Sequence, residues 1–147
     1  MTKYVILRIS GLHYDALLGQ DEENEPLEVI TPASYYLKNG KHYIVYDEVV
    51  EGIPGTIKNK IRITGDSILE IMKSGISNTH MTFEKDKIHV THYDTPYGEF
   101  MVGAFTRDIK VSESENEIGV RVNYVLDING EKVADCNIVM NIKAHKG

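Results

Sequence analysis

The chain has one cysteine, Cys136, among 147 residues. A lone thiol closes no internal disulfide, so the fold must rest on apolar burial, and a single free thiol fits a reducing compartment. Long apolar runs are missing too. The N-terminal stretch Tyr4-Val5-Ile6-Leu7 is ended by Arg8, too short for a signal-peptide core, and no segment approaches the ~20 apolar residues of a membrane-spanning helix. The cytoplasm is the expected location. Basic clusters are absent: 16 Lys and Arg are scattered through a chain of formal net charge −6, which disfavours nucleic acid as a partner. The acidic run Asp21-Glu22-Glu23-Asn24-Glu25 reads as a solvated loop. Helical periodicity is confined to a short turn at Asp15–Gly19.

What fills the chain is period two. Ile118, Val120, Val122, Tyr124, Leu126 and Ile128 alternate with Gly119, Arg121, Asn123, Val125 and Asp127. Ala134, Cys136, Ile138, Met140 and Ile142 repeat the pattern, as do Ile57, Ile61 and Ile63. Each is the signature of a strand with one buried face. Asn129-Gly130 and Asn39-Gly40 stand between alternating segments, and both residue types tolerate the positive φ of a type I′ hairpin turn. Gly65-Asp66, Ser74-Gly75, Lys85-Asp86 and Thr95-Pro96-Tyr97-Gly98 supply further turns, and Gly103 suggests a bulge or bend in the long strand from Glu99 to Val111. About ten strands joined by short connections make a meander. Such a meander closes into a barrel or folds as a two-sheet sandwich, and closure removes the exposed edges. No linker or repeat interrupts residues 1–147, which form one domain.

Several residues in this order resemble a known family. They are Tyr35-Tyr36-Leu37-Lys38-Asn39-Gly40-Lys41-His42-Tyr43-Ile44-Val45-Tyr46-Asp47-Glu48, then Ser74-Gly75, Met81-Thr82-Phe83, Tyr93-Asp94-Thr95-Pro96-Tyr97-Gly98 and Tyr124. The pattern is similar to the YwiB-like family of small uncharacterised bacterial proteins and covers the chain from Leu27 to Ile142. The resemblance implies an all-β, antiparallel, up-and-down β-barrel of calycin or lipocalin-like type with about 8–10 strands. It implies no reaction and no cofactor. The family pattern carries Arg just before the Ser-Gly step. Lys73 stands there in this chain and offers a point charge in place of a planar fork, which weakens any anion-clamping role.

Candidate chemistry is sparse. His89 and His92 lie three apart on a strand, so they point to opposite faces and share no metal. His80, opposite in phase to Met81 and Phe83, is expected in solvent. Cys136 shares the apolar face of Ile138 and Met140, where burial makes a thiol inert. Ser74-Gly75 is a strand end, not a nucleophile turn, and Gly52-Ile53-Pro54-Gly55 lacks the following helix of a phosphate loop. Nine tyrosines remain. Most serve sheet packing, yet a barrel interior lined by tyrosine offers apolar walls with a few hydroxyls. If Ile44 and Tyr46 face inward, Glu48 follows. If Leu69 and Ile71 do, Lys73 follows, and the two charges either pair inside or near one mouth of the barrel or lie at strand ends and reach water.

The leading expectation is therefore a barrel that binds a small, partly apolar ligand. Tyr46, Glu48, Lys73 and Tyr124 would be interior contacts and Tyr97 would stand at a mouth. The alternative is an interaction or regulatory module with a barrel filled by its own side chains. It would be a monomer or a homodimer, working through the acidic loop or through outward Val125 and Val139. An enzyme, with Glu48 as a general base beside tyrosines, comes third.

Overall fold

The computed structural model describes residues 3–12, 27–49, 52, 54–75, 78–95 and 98–145. They form ten strands: β1 (Tyr4–Leu12), β2 (Leu27–Lys38), β3 (Lys41–Val49), β4 (Thr56–Thr64), β5 (Ile68–Gly75), β6 (Thr79–Glu84), β7 (Ile88–Thr95), β8 (Gly98–Glu113), β9 (Glu117–Ile128) and β10 (Glu131–Ala144). All pair antiparallel in one sheet of order β6-β5-β4-β3-β2-β1-β10-β9-β8-β7. Chain neighbours are sheet neighbours except β6 and β7, which are the sheet's two terminal strands, and the β1–β10 pairing joins the two ends of the chain. The sheet's terminal strands, β6 and β7, lie against each other, so the single sheet curls into a nearly closed barrel. This decides between the barrel and the sandwich.

The alternation read from the sequence sets the register. Leu7, Ile9, Ile44, Ile61, Ile63, Leu69, Ile71, Phe83, Ile118, Ile138, Met140 and Ile142 are almost wholly buried in one continuous core inside the barrel. Asn39-Gly40 and Asn129-Gly130 have positive φ at both positions, as the hairpins require. Register shifts fall at Ser10/Leu12 in β1, Thr106/Asp108 in β8 and Lys132/Ala134 in β10. Such bulges sharpen the local twist, which helps a sheet to close. The irregularity of β8 is thus at Arg107 and not at Gly103, where a bulge was expected. Gly103 lies within regular pairing, and its missing side chain admits the Asp127 carboxylate against the backbone. The Asp15–Gly19 turn and the acidic loop lie outside the described residues.

Two places break the wall. Strands β6 and β7 abut without ladder pairing among the described residues, although the Thr91 hydroxyl donates to the His80 carbonyl across the seam at 2.6 Å. The second is within the sheet. Strand β2 pairs with β3 only from Ser34↔Val45 to Lys38↔Lys41. Beyond that point β2 continues along β1 and β3 continues along β4. Among the described residues, 27–33 and 46–49 therefore leave the β2–β3 boundary unpaired, an opening in the backbone ladder of the wall. Pro32, which has no N–H to give, occupies this stretch of β2.

Candidate functional site

Four ladder partners form an inward polar row. Tyr46 on β3 faces Asn59 on β4, Asn59 faces Lys73 on β5, and Lys73 faces Thr79 on β6. Glu48, two residues beyond Tyr46, points the same way. The row crosses a mostly apolar interior, and it stands beside the β2–β3 opening, whose border includes Tyr46 and Glu48.

The row is linked by side chains. Lys73 Nζ lies 3.3 Å from Glu48 Oε1, and Asn59 Nδ2 donates to the same oxygen at 3.3 Å. Exposure is graded: Asn59 is wholly buried, the Lys73 side chain is 16% exposed and that of Glu48 is 42% exposed. The ion pair thus runs from the interior toward water, which spares Glu48 the full cost of burying a carboxylate. Tyr46 packs on the core. Burial, with the Glu48 charge adding to it, pushes its hydroxyl up to about 12, so the phenol stays protonated and can donate. Two buried oxygens of the row, Asn59 Oδ1 and Thr79 Oγ1, have no hydrogen-bond partner among the described residues.

The structure therefore brings together Tyr46, Glu48 and Lys73, and the pairing of Glu48 with Lys73 is present. Tyr124 also faces inward, with its ring edge-on to Phe83 at 4.8 Å between centroids. Burial raises the Cys136 thiol, an effect that a hydrogen bond from Tyr124 partly offsets. Tyr97 lies outside the described residues. Asn59 and Thr79 were missed in the sequence. The signal was there: Asn59 occupies the inward position between Ile57 and Ile61, and Thr79 that before Met81 and Phe83.

A second polar chain lies toward the opposite end of the barrel. The buried Tyr35 hydroxyl and His42 Nδ1 are 2.6 Å apart, and His42 Nε2 is 3.4 Å from Glu113 Oε1. The carboxylate calls for a proton on Nε2, which leaves Nδ1 to accept from Tyr35. This contact ties the β2–β3 hairpin to the end of β8. The other histidines among the described residues are peripheral. His89 sits with Glu84 at 3.0 Å, exposed His92 with Glu99 at 3.1 Å, and exposed His80 with Glu70 at 3.4 Å.

A family model described as "Domain of unknown function (DUF1934)" matches residues 15–140. Among curated proteins, the chain is 24% identical over 121 residues to the "Uncharacterized beta-barrel protein YwiB" of Bacillus subtilis (strain 168), covering 82% of this chain and 83% of that protein. Among solved structures, the crystal structure of ywiB protein from Bacillus subtilis matches with a TM-score of 0.75 at 18% identity, covering 98% of this chain and 93% of the other. At that identity the likeness speaks for the fold.

Proposed function

Because the chain belongs to the DUF1934 family, whose description assigns no function, we propose a role from its own geometry: a barrel that binds a small, partly apolar molecule in its interior. The observation that carries this reading is the pair of buried oxygens of Asn59 and Thr79, which have no hydrogen-bond partner among the described residues of a mostly apolar interior. Buried polar groups are nearly always hydrogen-bonded, and leaving one unpaired costs about 1–3 kcal/mol. A molecule that satisfies them returns that cost on binding. The β2–β3 opening beside Tyr46 and Glu48 offers a way in. In this reading Tyr46, Glu48 and Lys73 contact the polar part of the molecule, and Tyr124 and Phe83 belong to the apolar wall. The closed meander is also the architecture of lipocalin-like carriers, and the free buried thiol suits a cytoplasmic setting.

The alternative, a homodimeric interaction module, draws on Ile88, Val90 and Met101, which are exposed side by side on β7 and β8, and on exposed Val139. One experiment separates the two. Native mass spectra of the freshly purified protein, repeated after denaturation, should show a monomer with an added mass that denaturation removes. A dimer without added mass transfers the role to the outer apolar face. A bare monomer overturns the reading of a tightly held ligand.

A further inference from the structure

Resting on the interior-binding reading, we propose that the polar row selects an uncharged head group that donates a hydrogen bond, a hydroxyl or an amide N–H, and seats it on Asn59 Oδ1. The selection rests on complementarity. The Asn59 amide nitrogen is already committed, to Glu48 Oε1 at 3.3 Å and toward the Ile57 carbonyl at 3.5 Å. Its carbonyl oxygen is wholly buried and has no donor among the described residues. What that oxygen lacks is an N–H or O–H. Thr79, at the far end of the row, offers a buried hydroxyl that can give a proton to a carbonyl or a second hydroxyl.

Charge completes the selection. Lys73 and Glu48 face each other at 3.3 Å, so the row is already neutral. A carboxylate entering it would meet the lone pairs of Asn59 Oδ1 and compete with Glu48 for Lys73. An ammonium would meet Lys73. Either case leaves one charge uncompensated in a mostly buried place, which is costly. An alcohol or amide meets neither obstacle. The protonated Tyr46 hydroxyl adds a further group able to exchange hydrogen bonds with a neutral head.

The test uses four probes of one chain length with the full-length protein: 1-hexanol, hexanamide, hexanoate and hexylammonium, titrated by calorimetry at neutral pH. The amide or the alcohol should bind at least about tenfold tighter than both charged probes, the ratio that corresponds to about 1.4 kcal/mol. Asn59→Leu should erase that preference. The near-isosteric Thr79→Val should weaken the amide by about three- to tenfold while leaving the charged probes unchanged, and it guards against a misfolded Asn59 variant. Equal binding of all four probes, or tightest binding of hexanoate, overturns the head-group selection and leaves the interior-binding reading standing. The same holds if no probe binds while native spectra show an added mass. If no probe binds and no added mass is seen, both fall, and the oxygens of Asn59 and Thr79 are satisfied by buried water.

Discussion

Tyr46 lies where two effects on a phenol coincide. Its ring packs on the core, and its hydroxyl feels the Glu48 charge, so both burial and a like charge oppose the phenolate. The folded protein holds this proton to about 12, against about 10 in an unfolded chain. Between those values the folded state binds more protons than the unfolded one. The sign of linkage follows: the stabilisation is complete below pH 10 and is lost as pH rises from 10 through 12. Ultraviolet titration of phenolate should therefore show Tyr46 ionising late, at about 12. Tyr46→Phe should delete one phenolate from that late step. A late step unchanged by the substitution would place the hydroxyl in water and weaken the polar row. Inward placement of Tyr46 and Glu48 was legible because alternation with buried Ile44 dictates it. The meaning of Asn59 was not, since an amide between isoleucines is read as noise until its ladder neighbours are known.

Among the strands, β1 depends on one backbone position more than any other. Gly11 has φ of +92° and lies at the register shift between Ser10 and Leu12. A Cβ there would overlap the Asn137 carbonyl of β10. Both the conformation and the space exclude a side chain. Gly11→Ala should cost about 3 kcal/mol or more, at the upper end of single-site effects, read from the urea midpoint. A loss under about 0.5 kcal/mol would mean that the bulge relaxes freely. The sequence offers only Gly11 itself as a sign of this bulge, because the constraint arises from the approach of β10, a strand more than a hundred residues away. Hairpins differ: Asn39-Gly40 and Asn129-Gly130 encode their own turns, and both were legible for that reason. The expectation at Gly103 shows the reverse risk. A glycine inside a strand pattern signals either a bulge or a close approach, and only the position of Asp127 selects the second. The parting of β2 from β3 was equally hidden, since each keeps its alternation while changing partners.

For the molecule as a whole, the meander pairs strands that follow one another in the chain, β6 with β7 excepted, and leaves one pairing, β1 with β10, to join the chain's two ends. Strands β9, β10 and β1 are each flanked on both sides, and their inward residues from Ile118 to Leu126 and from Cys136 to Ile142 are almost wholly buried. By contrast, β6 and β7 meet without a ladder, and β2 and β3 part beyond Ser34 and Val45. Local opening is governed by such differences in burial and backbone pairing. Hydrogen exchange should therefore fall into two classes. Amides of β9 and β10 should exchange only on global unfolding, whereas those of residues 27–33 and 46–49 that face the opening should exchange at least about a hundredfold faster, a difference of about 2.7 kcal/mol in opening free energy. Uniform protection around the barrel would mean that the wall opens nowhere in particular, and the entry beside Glu48 would lose its physical basis. Fast exchange confined to the β6–β7 seam would move the entry there, to the Thr79 end of the same polar row. Either pattern bears on the carrier reading, because an interior site is useful only if the wall around it yields at one place without the core yielding with it.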